Sequence, residues 1–330
     1  MRRQNSLKRP VCRLLLPMLL LTMSGLWAQQ TPTPAPVGRE PGTPLFRARV
    51  DEVQLHVSVF DEKHRLVTNL RREAFTVTEN GRRQALVSFL SEEVPVSLAV
   101  VIDNSASMAG VRAELNKAAL NLVKASNPQD EVFVVNFTDK AYLDQDFTAD
   151  LSLLREALDR VASRGATALY DAIVASGEHL MKAGERPRKA IVVLTDGEDN
   201  ASLTSLEETI RRLSVEGGPA IYAVGLPGEG RTRAARKALQ ELARQTGGEA
   251  FFPQSLYDVD GVMWTVAHDL RNQYILGYKP ATPAAETGYR SVHVEVSAPG
   301  RKHLVARTRE GYYPRPVPPP ENPPDAGQKQ

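Results

Sequence analysis

Five side chains that carry oxygen stand at positions where a fold can bring them together. Two of them follow apolar runs typical of buried strands, and the others lie in short loops next to predicted helices. Carboxylate and hydroxyl oxygens from several loops suit a hard cation such as Mg²⁺, which prefers oxygen ligands. The candidate ligands are Asp103, Ser105, Ser107, Thr167 and Asp196.

The elements that must position these residues alternate between strand and helix. From residue 94 to 272, apolar runs of strand length alternate with helical stretches of 10 to 15 residues, which predicts an α/β fold with a doubly wound, mostly parallel sheet. Loops at the carboxyl ends of such strands face the binding crevice. If the first and fourth strands are neighbours, Asp103 and Asp196 lie side by side, and two adjacent carboxylates repel unless a cation or a proton lies between them. No His or Cys takes part, which argues against Zn²⁺.

The order of these residues resembles a known site. Asp103-x-Ser105-x-Ser107, then Thr167 in a Gly-Ala-Thr loop, then Asp196 in Thr-Asp-Gly, resembles the metal-ion-dependent adhesion site of von Willebrand factor A (VWA) and integrin I-type domains. The resemblance covers about residues 94–272. The full arrangement also resembles the VWFA-related, acidobacterial-type secreted proteins.

This resemblance implies roles for the five residues. Ser105, Ser107 and Thr167 would be hydroxyl ligands, and Asp103 and Asp196 would bind the metal directly or through water. The ion would be Mg²⁺, or else Mn²⁺ or Ca²⁺. The remaining coordination position would accept an Asp or Glu from a protein partner.

Two β-rich segments flank the α/β part. Residues 47–93 alternate apolar and polar side chains and contain Asn80-Gly81, a strong hairpin signal. Residues 273–313 return to the same alternation. We expect the two segments to form small, sandwich-like β structure, assembled from both ends of the chain into a single module.

The ends of the chain predict export. Residues 1–28 have the basic start, apolar stretch and small final residue of a secretory signal. Residues 29–46 read as a Pro-rich linker, and residues 314–330 as a Pro-rich, disordered tail. Signal removal takes away five basic residues, so the formal net charge changes from +2 to −3, and a nucleic-acid partner is not expected. The only cysteine, Cys12, lies in the signal. The expected location is secreted or periplasmic, with no transmembrane segment after cleavage.

Three functions stay open at this point. The first is a metal-dependent binding or adhesion module without catalytic activity, and the second is a structural envelope component with a stabilising metal. The third, a Mg²⁺-dependent phosphotransfer enzyme, needs an acid two residues after Asp103, where this chain has Ser105. No nucleophile elbow, zinc-protease motif or phosphate-binding loop is present.

Simpler interpretations of the same residues also stay open. The serines could only cap the following helix, and Asp196-Gly197 could be only a turn. Glu198 and Asp199 are expected in a solvated loop, and Tyr312 and Tyr313 are expected to pack against the β module.

Overall fold

A parallel sheet covered by helices forms the centre of the chain, and a β module formed from both flanking segments lies next to it. The computed structural model describes residues 52–159, 165–228, 232–281 and 288–315. The predicted signal, the whole predicted linker and nearly all of the predicted tail lie outside these ranges. Across the described part of the chain, no helix combines the length and the apolar character that a membrane crossing requires.

The bounds of the secondary structure follow the chain order. The strands are β1 (Val53–Phe60), β2 (Phe75–Glu79), β3 (Arg82–Gln84), β4 (Leu86–Leu90), β5 (Val96–Asp103), β6 (Glu131–Phe137), β7 (Ala141–Thr148), β8 (Arg188–Thr195), β9 (Ala220–Gly225), β10 (Ala250–Phe251), β11 (Tyr274–Tyr278), β12 (Arg290–Val296), β13 (Val305–Arg307) and β14 (Gly311–Tyr312). The α-helices are α1 (Arg112–Ala125), α2 (Leu151–Asp159), α3 (Leu169–Ala183), α4 (Leu206–Leu213), α5 (Arg233–Thr246) and α6 (Val259–Arg271).

The central sheet confirms the predicted α/β class. Its strand order is β10-β9-β8-β5-β6-β7, and every neighbouring pair is parallel except β6 with β7. The first and fourth strands of this sheet in chain order, β5 and β8, are therefore neighbours. This is the position where the strand order of a doubly wound sheet reverses and where such folds bind ligands.

Burial on both faces explains the continuous apolar runs. All eight residues of β5 are buried. Val100 faces one core, which contains side chains of α1 and α6, whereas Val101 faces the other, which contains side chains of α3 and α5. A strand between two helical layers has no solvent face, so its sequence does not alternate.

The antiparallel edge strand β7 was not predicted. Its sequence, AYLDQDFT, mixes apolar and polar residues, and every residue is half-buried or exposed, because this edge strand has only one neighbour and lies at the surface. The pairing with β6 also shifts register twice. An irregular strand of mixed composition lacks the continuous apolar run that marks the central strands.

The two flanking β segments pair with each other. β1 and β4 both pair with β11, and β2 pairs with β12, so that each of the two four-stranded sheets contains strands from both ends of the chain. The consecutive strands β3 and β4 belong to different sheets, and so do β13 and β14. The chain therefore passes from one sheet to the other at each of these two connections. The sheets enclose one apolar core that includes Leu55, Val77 and Leu276.

A buried glutamate lies among the side chains of this module. The Oε2 atom of Glu79 accepts hydrogen bonds of 2.7 Å from the hydroxyls of both Tyr278 and Tyr312. Arg290 places its Nη1 3.6 Å from Glu79 Oε1. Burial raises the pKa of both tyrosines, so both hydroxyls stay protonated and can donate. Tyr312 packs in the β module, as expected.

A second polar cluster joins the β module to the α/β core. Asp269, at the end of α6, accepts hydrogen bonds of 2.5 Å from Ser58 of β1 and from Tyr222 of β9. Arg307 of β13 pairs with the same carboxylate. Because α6 continues almost directly into β11, these bonds fix the helix to strands on both sides of the junction.

Candidate metal centre

Asp103 ends β5 at the carboxyl edge of the sheet. Its Oδ1 accepts a hydrogen bond of 2.8 Å from the amide of Ser105, and its Oδ2 accepts one of 2.7 Å from the hydroxyl of Thr195, the last residue of β8. The residue is fully buried. Thr195, at the end of the neighbouring strand β8, thus orients the carboxylate of Asp103 through a hydrogen bond. This contact is possible because β5 and β8 are adjacent in the sheet.

The electrostatic surroundings of Asp103 disfavour its negative charge. Burial raises the pKa of its carboxyl above the usual value, and the negative charge of Asp196 adds to the shift, whereas hydrogen bonds from Ser105 and Thr195 oppose it. Asp196 is itself 4% exposed. The two predicted acids therefore lie close enough to influence each other, and both are largely removed from solvent.

The hydroxyls of the two serines lie within hydrogen-bond distance of each other. Ser105 Oγ and Ser107 Oγ lie 3.1 Å apart, at the start of a 3₁₀ turn over Ala106–Val111 that leads into α1. Ser105 occupies the N-cap position of this turn, but its side chain makes no capping hydrogen bond. The capping interpretation of Ser105 is therefore not supported by the structure.

The loop that carries Thr167 contacts both of the other loops. The amide of Ala106 donates to the carbonyl of Gly165 over 3.3 Å, which joins this loop to the serines. The amide of Thr167 donates to the Asn200 side chain over 2.9 Å, and the carbonyl of Thr167 accepts from the amides of Asn200 and Ala201. These bonds attach Thr167 to the loop that follows Asp196.

Asp171 reinforces the same connection from the first turn of α3. Its carboxylate accepts hydrogen bonds from the amides of Leu203 (2.9 Å) and Thr204 (3.0 Å), while its own amide donates to Ser202 Oγ (3.1 Å). Burial opposes ionisation of this carboxyl, but the hydrogen bonds from Thr204 and Leu203 outweigh burial and lower its pKa. The bonds run in both directions, so the loop and the helix hold each other.

Asp199 has a structural partner and does not simply face solvent. Its Oδ1 accepts a hydrogen bond from the amide of Tyr170 at the start of α3 and another, of 2.6 Å, from Ser202 Oγ. The loop is exposed at Glu198, as expected, whereas Asp199 is half-buried and hydrogen-bonded. Sequence reasoning missed Asp199, Asn200 and Asp171 as supports, because they bond to residues about 30 positions away.

A polar group lies behind the first loop. Asn104 is fully buried and donates to Asn136 Oδ1 over 2.8 Å, and Arg112 donates to the same oxygen over 3.1 Å. Arg112 also donates to the carbonyl of Leu158. Asn104, which follows Asp103, is thus linked by hydrogen bonds to β6, α1 and α2. These bonds hold the first loop in place.

The donor set fits a hard divalent cation better than a transition metal. Within residues 52–159, 165–228, 232–281 and 288–315, no three His, Cys, Asp or Glu side chains are grouped so as to hold a metal ion. In the same ranges neither Asp103 nor Asp196 has a Lys, Arg or His partner within 4.0 Å. Two buried carboxylates without a basic partner, in loops connected to those that carry Ser105, Ser107 and Thr167, are suited to a cation with oxygen ligands.

Comparison with known families identifies the α/β part. Residues 98–198 match the family model of the von Willebrand factor type A domain, so the chain contains a VWA domain. The matched segment includes all five candidate ligands. No curated protein matches the chain.

Several solved structures of low sequence identity align with part of the chain, and one of them shares its fold at a TM-score of 0.50. A von Willebrand factor type A protein from Catenulispora acidiphila is 14% identical, with a TM-score of 0.50, over 82% of this chain and 74% of that one. The conserved hypothetical protein BatB from Bacteroides thetaiotaomicron is 15% identical, with a TM-score of 0.45, over 53% of this chain and 98% of that one. The vWF domain of the type V pili tip protein Mfa5 from Porphyromonas gingivalis is 13% identical, with a TM-score of 0.45, over 53% and 95% respectively.

Proposed function

We propose that the chain is an exported protein-binding module whose VWA domain requires a divalent metal ion for binding. Mg²⁺, or Mn²⁺ or Ca²⁺ in its place, would be held by oxygen atoms of five residues, and a protein partner would supply an Asp or Glu carboxylate. The proposal includes no catalytic step. The five residues are Asp103, Ser105, Ser107, Thr167 and Asp196.

The observation that carries this proposal is the uncompensated pair of buried acids. Asp103 and Asp196 lie at the switch point of the sheet, and the charge of Asp196 adds to burial in raising the pKa of Asp103. Leaving two such charges without a cation is costly in a low-dielectric site. A divalent cation would neutralise them, and the adjacent hydroxyls of Ser105 and Ser107 would supply further oxygen ligands.

The chain's own residues would fix the ligand geometry before an ion arrives. Thr195 and the Ser105 amide already orient Asp103, and the bonds from Asn200 already position the backbone of Thr167. A bound divalent ion would supply positive charge and an open coordination position for a partner carboxylate. Pre-orientation of the ligands lowers the entropy cost of binding, because fewer side chains must be ordered.

Export is the part of the proposal that rests on the sequence alone. Residues 1–28 have the composition of a secretory signal, and the loss of the only cysteine with that signal leaves a chain without disulfides. A metal site and an extensive apolar core would then stabilise the protein outside the cytoplasm. Periplasmic or secreted location follows from the same residues.

Calorimetric titration tests the metal site directly. Mg²⁺ and Mn²⁺ are titrated into metal-stripped protein, beside an Asp103→Ala/Asp196→Ala variant and a matched Glu62→Ala/Glu92→Ala variant, which removes two exposed acids of the β module. We expect one saturable site in the wild type and in the matched variant, and none in the first variant. Absence of heat and of any thermal shift in the wild type would remove the basis of the proposal.

A second experiment separates binding from mere stabilisation. Peptides from a displayed random library are selected on the wild-type protein with Mg²⁺, and the recovered peptides are retested with chelator. The proposal expects peptides rich in Asp or Glu whose binding is lost with chelator. Metal binding without any metal-dependent peptide would favour the structural envelope component instead.

A further inference from the structure

The side chains of β1 alternate between the core of the β module and the side that faces the VWA domain. Residues 53, 55, 57 and 59 belong to the apolar core of the β module, so residues 54, 56 and 58 face the other side. There Ser58 donates to Asp269 of α6, and Arg307 balances the negative charge of Asp269. His56 lies on the same face, but the charged groups that influence it are all basic.

Arg188, the first residue of β8, borders His56 from the VWA domain. Ile275 pairs with His56 in the sheet, and the carbonyl of Gln273, two residues earlier, accepts a hydrogen bond of 3.5 Å from Arg188 Nη2. Arg188 also donates to the carbonyl of Leu270. Its side chain is 1% exposed, and its Nε has no hydrogen-bond partner in the part of the chain that the structure describes. The guanidinium is thus buried with one donor unused.

Arg309 borders His56 from the C-terminal segment. In the pairing of β13 with β1, Arg307 lies opposite Ser58, and the same register continued by two residues brings Arg309 level with His56. Arg309 is buried, and its guanidinium donates to two backbone carbonyls of the loop after α4. Burial lowers its pKa to about 10, which shows how strongly this environment disfavours the charge.

His56, Arg188 and Arg309 form a basic cluster at the junction between the β module and the VWA domain. Burial lowers the pKa of His56 most strongly, and the positive charges of Arg188, Arg309 and Lys189 lower it further. Among residues 52–159, 165–228, 232–281 and 288–315, no carboxylate lies within 4.0 Å of either guanidinium. The acids that influence the two arginines from a greater distance are Asp269, Asp130 and Glu93 for Arg188, and Glu216 for Arg309.

An anion at this position would balance the charge and use the free donors. The Nδ1 of His56 is buried and has no hydrogen-bond partner among the described residues. A water molecule would accept hydrogen bonds from this atom and from Arg188 Nε, but it would leave the buried positive charge unbalanced, which is costly. Because these are the two unused donors, a single-atom anion fits better than sulfate or phosphate, whose four oxygens need more partners.

We propose that His56, Arg188 and Arg309 bind a small monovalent anion of the halide type at the junction between the β module and the VWA domain. The anion would connect β1, the start of β8 and the C-terminal segment. This inference goes beyond the candidate metal centre and does not depend on it. The stability of the junction would therefore depend on the anion in solution as well as on the metal.

Bromide tests the site directly in crystals, because it replaces chloride and gives an anomalous signal in X-ray diffraction. Crystals of the chain starting at Gln29 are soaked in sodium bromide. We expect an anomalous peak in contact with Arg188 Nε and His56 Nδ1. Density at this position without an anomalous signal would identify a water molecule only and would overturn the proposal, as would bromide peaks confined to the molecular surface.

Thermal unfolding tests the same site in solution. The metal-free chain starting at Gln29 is unfolded with chelator in potassium chloride or potassium gluconate of equal ionic strength. Above the dissociation constant, each tenfold increase in chloride should raise Tm by about 3 to 5 °C, whereas gluconate should not. The rise should be larger at pH 5.5 than at pH 8, because a protonated His56 attracts the anion more strongly. Equal Tm values in the two salts would contradict the site.

Two variants separate this site from general effects of salt. His56→Gln keeps a hydrogen-bond donor but does not titrate, so its response to chloride should be the same at pH 5.5 and pH 8. Arg309→Gln removes one charge and should weaken the apparent affinity for chloride at least tenfold. The control Arg83→Gln replaces an exposed arginine of β3 and should keep the wild-type response. A wild-type pH dependence in His56→Gln would refute the site, whether or not Arg309→Gln folds.

Discussion

Replacing Asp103 by Asn is predicted to abolish metal binding without weakening the metal-free fold. Asn keeps the size of Asp and can still accept the Ser105 amide through its Oδ1. Its amide can donate to Thr195 Oγ1, because a hydroxyl accepts as well as donates. The variant therefore removes the charge and keeps the hydrogen bonds. This separates the electrostatic role of the residue from its structural role.

The sign of the effect follows from the raised pKa of Asp103. A carboxyl that is harder to ionise in the folded chain than in the unfolded chain lowers stability as pH rises through its folded pKa, and the penalty persists at neutral pH. Removing the charge removes this penalty, so metal-free Asp103→Asn should be at least as stable at pH 7 as the metal-free wild type. If a buried Asp is paired with a basic side chain, its replacement by Asn lowers stability, because the basic group is left unpaired.

The metal response should be large enough to measure by thermal unfolding. An ion present at 100 times its dissociation constant stabilises the folded state by about 2.7 kcal/mol. For a domain of this size, that corresponds to a rise in Tm of about 5 to 10 °C. Mg²⁺ should produce this rise in the wild type and none in Asp103→Asn. A variant that keeps the rise, or that loses more than about 1 kcal/mol without metal, would refute the reasoning.

Three further predictions concern single residues. Gly247 ends α5 with φ of 86°, and a Cβ at this position would lie 2.5 Å from the amide nitrogen of Arg309. Gly247→Ala should therefore lower the free energy of unfolding, measured by urea denaturation, by about 2 kcal/mol. The loss should be smaller for the control Gly300→Ala, because Gly300 has φ of 75° but open space around it. Burial and nearby basic side chains hold the pKa of His56 well below 6.5, so stability should fall as pH drops below 6.5, and His56→Gln should flatten a plot of Tm against pH. Thr167→Ala should weaken Mg²⁺ binding in calorimetry about tenfold and reduce peptide binding with it; full peptide binding would favour a metal with only a structural role.

The sequence was sufficient to predict the central sheet because its physical signal is local. Each buried strand is an apolar run of strand length, as in β5, and helical stretches separate most of these runs. The neighbouring positions of β5 and β8 follow from the common doubly wound order. Strand β7 escaped prediction because its pairing with β6, and not its own composition, makes it a strand.

The pairing of the two flanking β segments needed information that no local pattern contains. β1 and β11 are separated by more than 200 residues, and their alternation predicts strands without naming partners. Once the VWA domain folds, however, its first strand begins and its last helix ends at the same edge of the central sheet, because Val96 pairs with Arg188 and Arg188 donates to the carbonyl of Leu270. β4 runs directly into β5, and α6 runs directly into β11. The fold of the inserted domain therefore brings the two halves of the β module together.

The candidate site divides in the same way between local and non-local information. The five candidate ligands are found by residue type and by position after predicted strands. Their supports are not, because Asp199, Asn200 and Asp171 act by bonding two loops that are about 30 residues apart in the chain. An acidic residue beside a candidate metal site is easily taken for a ligand or for a solvated side chain. Here the carboxylates of Asp199 and Asp171 accept hydrogen bonds from backbone amides of the opposite loop or helix, so both residues hold the two loops together.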